Sequence, residues 1–323
     1  MRDRTVLIVT RKFDPHADQV IGDLQRRGAP FFRLNTDDFH TDYRVTADGA
    51  DGSFTFDDQW GRSLRFPNET RSVWYRKPID PAAPPSVGDI AARAVILQET
   101  REFLTYLSTG TRIPWINNPH ANIAAAREFP QIGLARSLGL RVPRTLVTND
   151  PAQARAFHDA LDGRLLCKSM KAVGYEEGDG FHPMFSRKVT PEEFERHAEQ
   201  LSFCPSLLQE YIDKAHELRI TVIGGAIFCC RIDSQAVRGA ETDWRRVDPF
   251  QVPHEIVPLD TAVGSALITM LERYGLSFGT FDMIVTPAGE YVFLELNPNG
   301  QWLWIESITG ARMSEAMAGL LAG

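Results

Sequence analysis

The stretch from Phe278 to Gly300 constrains this chain more than any other. Two runs rich in β-branched and aromatic residues flank Thr286-Pro-Ala-Gly289, the composition of a hairpin with a tight loop. Pairing Val285 with Glu290 sets position 282 opposite 293, and period-two alternation then places Asp282, Glu295 and Asn297 on one face. Diagonal neighbours of that kind lie roughly 7–8 Å apart, so two carboxylates and an amide oxygen converge on one small volume. A solvent-facing acidic hairpin is the plainer alternative. Against it stand Val292, Phe293, Leu294 and Leu296, which describe a buried strand in which a lone acid needs a partner. Mg²⁺, a hard cation that takes oxygen ligands and completes its shell with nucleotide phosphates, is the expected occupant.

At 323 residues the chain is long for one core, and two or three α/β lobes are expected. A net charge of -7 argues against a generic nucleic-acid partner. No apolar run approaches the roughly 20 residues of a membrane span, and Met1-Arg-Asp-Arg lacks the apolar segment of a signal peptide. The expectation is a cytoplasmic protein with no membrane partner. Cys167, Cys204, Cys229 and Cys230 lack metal-ligand spacing and read as small buried hydrophobes, and the histidines form no zinc pattern.

The order of elements starts as βαβ: strand Thr5–Thr10, a helix opened by Asp14-Pro15 and stopped at Gly28, and strand Pro30–Leu34. No G-x-G-x-x-G follows the first strand, so no dinucleotide site is expected there. Residues 43–66 alternate like an antiparallel meander, Val73–Arg76 returns to a strand, and the proline-rich 78–85 segment is a stiff loop. A helix over 89–108 carries an apolar stripe including Ala94, Val95 and Leu97. The first boundary falls near 118, and Pro130 splits or kinks the helix that follows. Strand Arg164–Lys168 leads into Gly174-Tyr-Glu-Glu-Gly-Asp-Gly180, read as a mobile loop suited to covering phosphates, and then into a returning strand over 184–189. Three further strands, a polar loop containing Asp243-Trp-Arg-Arg246 and a helix from Asp260 to Tyr274 precede the hairpin. The chain closes with a small-residue helix after Gly310.

In this order the features resemble the ATP-grasp superfamily of carboxylate–amine ligases, from Asn117 to Gly310. Lys168 at a strand end is similar to the lysine that contacts the α- and β-phosphates, and Gln209-Glu210-Tyr211-Ile212 to the hinge whose backbone reads adenine while a nearby acid takes ribose. Glu217-Leu-Arg219 resembles the family's acid-x-Arg, and Asp282, Glu295 and Asn297 its magnesium ligands. Phe32–Asp37, Val73–Arg76, Val142–Asn149, Asp243-Trp-Arg245 and Leu296–Trp302 resemble the microviridin-type, or graspetide, peptide maturases. One position departs: the lysine usual at the start of the helix after the linker is Glu128 here, with Arg127 beside it as a differently shaped replacement.

The resemblance implies an α/β ATP-grasp fold: an N-terminal pre-ATP-grasp domain over 1–118, a small lobe with the glycine-rich loop over 119–190, and a C-terminal lobe with the magnesium hairpin over 191–323. It implies ATP and Mg²⁺ as cofactors, a precursor peptide of leader and core as partner, and a homodimer. Arg219, with Arg245 or Arg246, would steady the transferring phosphoryl group, and Lys168, the 209–212 hinge, Glu217 and Arg127 would hold the nucleotide. The implied reaction joins Asp or Glu side chains to Ser, Thr or Lys of the same peptide through an acylphosphate. Addition of amino acids to a peptide or small carboxylate, and a catalytically silent nucleotide-binding scaffold, are the alternatives.

Overall fold

A computed structural model describes residues 4–109, 112–170, 174–177, 180–183 and 186–323, the 174–183 segments by backbone alone. Strands Phe31–Asn35, Thr5–Thr10, Thr70–Tyr75 and Trp115–Ile116 lie side by side, all parallel, as the βαβ reading requires. Asp14 caps the intervening helix Pro15–Arg26, accepting from the backbone N–H groups of His16 and Ala17. The meander forms as three antiparallel strands, Tyr43–Asp48, Ser53–Asp58 and Ser63–Phe66.

The helix Ile90–Leu107 forms where expected, but only the C-terminal part of its apolar stripe is covered: Phe103, Leu104 and Leu107 join a core with Phe39 and Phe56, while Val95 is 60 % exposed. Pro130 resolves into a break between two helices, Pro119–Ala125 and Glu128–Ser137, and sits in the first turn of the second, where its missing N–H costs nothing. Residues 174–177 pair antiparallel with 180–183, so most of the expected glycine-rich loop is a hairpin; 178 and 179 lie outside the described residues. Of the returning strand, Arg187–Val189 forms and 184 and 185 likewise lie outside them. Cys229 and Cys230 are buried as expected, whereas Cys204 is exposed.

Two antiparallel sheets face the site. The smaller runs Arg187–Val189, Leu165–Lys168, Ser206–Glu210 and Thr145–Thr148; the larger runs His254–Ile256, Ala226–Ile232, His216–Ile223, Phe278–Val285 and Tyr291–Asn297. One core lies under the large sheet, where Leu218, Ile220, Phe281 and Phe293 meet Leu267, Met270 and Leu271 of the helix Thr261–Tyr274. Another joins the N-terminal sheet to the end of the chain: Val6, Ile8 and Trp74 pack with Trp302, Met313, Met317 and Leu321. The helix Met313–Ala322 thereby closes against the N-terminal domain, and Ser72 Oγ donates to the Leu321 carbonyl at 2.7 Å.

Candidate active site

The 278–297 hairpin forms with a different register from the simple one. Val285 faces Tyr291 rather than Glu290, and a bulge follows between Asp282 and Met283, so that Met283 pairs with Phe293 while Asp282 pairs with Glu295. The extra residue on the second strand is Leu294. Without it the two strands would pair Asp282 with Leu294; the bulge brings the carboxylates face to face. Thr280 pairs with Asn297, which continues the same face. The glycines at this end are required by close approach: a Cβ on Gly300 would lie 1.7 Å from Thr280 Oγ1, and one on Gly279 2.7 Å from Leu296 Cδ1.

Four buried polar side chains from elsewhere in the chain hold this hairpin and the residues just after it. Asn117 donates to the carbonyls of Phe278 at 2.8 Å and Pro298 at 2.9 Å, and its Oδ1 accepts from the N–H groups of Ser277 and Phe278. Gln131 accepts from Leu296 N–H and donates to Leu296 C=O. Arg76, 1 % exposed, donates to the carbonyls of Asn299 and Gly300, with its guanidinium over the Trp302 ring. His16 Nε2 accepts from the N–H groups of Trp302 and Leu303 at the start of the helix Leu303–Thr309. Burial, with Arg76 and Lys77 nearby, drives the His16 pKa down to about 3, which keeps that nitrogen an acceptor.

Two clefts meet at the hairpin. One is lined by Lys168, Gln209, Glu210, Tyr211, Ile212, Glu217, Asp243, Arg245, Asp282 and Glu295, with Pro143, Leu166, Ile284 and Leu294 as its apolar wall. The second is lined by Arg219, Trp244, Arg245, Pro249, Asp282, Glu295, Asn297, Gln301 and Trp304. Trp244, Arg245, Asp282 and Glu295 belong to both and form the partition between them.

The partition is a network of charges. Arg219 Nη1 donates to both Asp282 oxygens at 2.8 and 2.9 Å. Arg245 is held by Asp243 in a two-bond fork at 2.8 and 2.9 Å, with its Nη1 3.9 Å from Glu295 Oε1. Lys168 Nζ lies 2.5 Å from Glu128 Oε1. Burial pushes the Glu295 carboxyl up to about 7, with Asp282 adding to the rise. Burial pushes Asp282 the same way, but Arg219 and Arg245 outweigh it and hold Asp282 below the ordinary range. The pair therefore retains a proton on Glu295 near neutrality unless a cation replaces it. Burial also raises Glu217, whose partner Lys214 sits 2.6 Å away.

The donors fit a hard divalent ion: two adjacent carboxylates, one holding a proton that a cation could displace, beside the Asn297 amide. Asn297 Oδ1 accepts from the Asn299 N–H at 3.1 Å, which orients it. Among the described residues no group of three or more His, Cys, Asp or Glu side chains could hold a metal.

Two expected residues are elsewhere. Arg127 is the exposed N-cap of the helix Glu128–Ser137 and lines neither cleft; the backbone turns there so that Glu128, not Arg127, points inward. Arg246 lies at the end of the turn Trp244–Arg246, lines neither cleft and donates to the Ser186 carbonyl at 3.1 Å. Lys214 and Gln131 are site residues that the sequence reading does not name, and Glu128, named there only as a departure, enters as the partner of Lys168. A polar side chain inside an otherwise apolar helix stretch, as at Gln131, was the available signal.

Residues 5–122 match the family model described as the MvdD pre-ATP grasp domain. The macrocyclase MdnC of Microcystis aeruginosa MRC, crystallised with precursor peptide MdnA, is 29 % identical over 98 % of this chain and 99 % of its own, with a TM-score of 0.84. A RiPP-associated ATP-grasp ligase of Chryseobacterium gregarium, solved with ADP and a leader and core peptide, is 25 % identical over 98 % and 96 %, with a TM-score of 0.90. The macrocyclase MdnB of Microcystis aeruginosa MRC is 29 % identical over 98 % and 99 %, with a TM-score of 0.78. Against proteins of curated function the chain has no match.

Proposed function

We propose that this chain, an ATP-grasp ligase with an MvdD-type N-terminal domain, closes side-chain ester or amide links in a ribosomally made precursor peptide. The observation that carries the reading is the shared wall of Trp244, Arg245, Asp282 and Glu295, which gives one set of charges access to two clefts. ATP occupies the first, its base against Leu166, Tyr211, Ile212 and Leu294 and its phosphates toward Lys168. The precursor core enters the second. Asp282, Glu295 and Asn297 hold Mg²⁺, which when bound neutralises phosphoryl charge.

A carboxylate is too poor an electrophile to meet an alcohol or amine in water, so activation comes first. An Asp or Glu oxygen of the peptide attacks the γ-phosphorus of ATP, the bond to the β-phosphate oxygen breaks, and ADP leaves. A Ser, Thr or Lys side chain then attacks the acyl carbon, loses its proton and expels phosphate. Arg245, pre-set by Asp243, and Arg219 stand where negative charge builds in both steps. Apolar walls limit water, the competing nucleophile.

The N-terminal domain and the surface near 186–240 offer the leader segment its seat, and the protein works as a homodimer. Among the described residues no helix is long and apolar enough to cross a membrane. The deciding experiment incubates the protein with MgATP and a short peptide encoded beside its gene that bears Thr or Ser and Asp or Glu. Loss of one water mass per ring with matching ADP release is expected; a gain in peptide mass would instead mean addition of a second reactant, and an unchanged peptide would reject ring closure.

A further inference from the structure

Lys168 ends the strand Leu165–Lys168 in the small sheet, and Glu128 opens the helix Glu128–Ser137. These elements are about 40 residues apart in sequence, yet Nζ and Oε1 meet at 2.5 Å, with the side chains only 12 % and 9 % exposed. Lys168 lines the nucleotide cleft and Glu128 stands behind it. Glu128 turns its carboxylate to Lys168, with an influence on Glu295 that is electrostatic only. It places a negative charge next to the ammonium on which phosphate binding would depend.

The pair is not easily parted. Removing one partner of a buried ion pair leaves the other charge uncompensated in a poor solvent. An ammonium has three donors, however, so Lys168 can turn one toward phosphate while keeping Glu128. It then meets the nucleotide as half of a neutral unit.

We propose that Glu128 sets nucleotide affinity: by sharing Lys168 it weakens the hold on ATP and ADP alike and lets ADP leave after phosphoryl transfer. This rests on the nucleotide reading of the first cleft. Glu128→Gln keeps shape and removes the charge, and its amide oxygen can still accept from Lys168 Nζ.

The test is calorimetric titration of the full chain with MgADP, alongside steady-state kinetics in ATP. Glu128→Gln is expected to bind MgADP roughly tenfold tighter, a modest share of what one close charge contributes at an effective dielectric of about 20. It should also show a lower KM for ATP, a lower kcat and stronger inhibition by ADP, a combination that simple loosening of the fold does not produce. Should that variant fail to fold, Glu128→Met, similar in volume and uncharged, serves the same measurement. Equal or weaker MgADP binding by a folded variant overturns the inference while leaving the nucleotide site intact. Wild-type protein that binds no MgADP overturns the nucleotide reading, and this inference with it.

Discussion

Gln131 grips both backbone groups of Leu296: its Oε1 accepts from the N–H at 2.7 Å and its Nε2 donates to the C=O at 2.8 Å. Leu296 lies between Glu295 and Asn297 on the outermost strand of the large sheet, so one amide replaces a missing neighbouring strand where two candidate metal ligands sit. Gln131→Leu leaves both groups buried and unpaired. We expect a loss of about 2–3 kcal/mol in denaturant unfolding, and Mg²⁺-dependent turnover that falls further than the folded fraction does.

Asp243 fixes Arg245 through two hydrogen bonds to one guanidinium. Asp243→Asn replaces one acceptor oxygen with a donor and releases half the fork. Steady-state kinetics should show kcat down by about tenfold or more, the scale of losing one pre-set electrostatic stabiliser, with the melting temperature changed little.

His16 is held neutral in the fold, with a pKa of about 3 against an ordinary 6.5. The unfolded chain therefore takes up a proton that the folded one refuses, and stability falls as pH drops from 6.5 toward 3. His16→Leu should flatten that part of the pH–stability curve while costing about 1–3 kcal/mol at neutral pH for the two unpaired N–H groups. Chemical denaturation at a series of pH values reads both effects.

Glu295 titrates in the opposite sense. Its folded pKa of about 7 lies above the ordinary 4.5, so in metal-free protein its contribution to stability declines as pH rises between those values. Mg²⁺ competes with that proton, and its affinity should rise through pH 7 and level off above it, as followed by calorimetry. Glu295→Gln should remove both dependences.

Much of this architecture could be read from residue order. Asp14-Pro15 and Asp260 mark helix starts because capping is local chemistry, and each caps the helix it precedes. The convergence of Asp282, Glu295 and Asn297 was also legible, though for an incomplete reason: alternation gave the shared face, while the pairing depends on a bulge at Leu294 that no local pattern marks. Long-range contacts were the least accessible. Nothing near Glu128 announces Lys168 as its partner, and Arg76 reads as the end of a strand until the 299–300 carbonyls close over it. The exposed first half of the stripe on the helix Ile90–Leu107 marks the converse limit, since periodicity shows that a face is apolar and not how much of it is covered.

Phosphoryl transfer to the peptide, as proposed, depends on an ion held by the carboxylate pair at the hairpin bulge. Mass spectrometry of precursor peptide incubated with MgATP and Glu295→Gln protein, with thermal unfolding run in parallel, addresses it most directly. A cooperative melt like the wild type's is expected, with neither water loss from the peptide nor ADP release above background. Dehydration at the wild-type rate by that variant would contradict it.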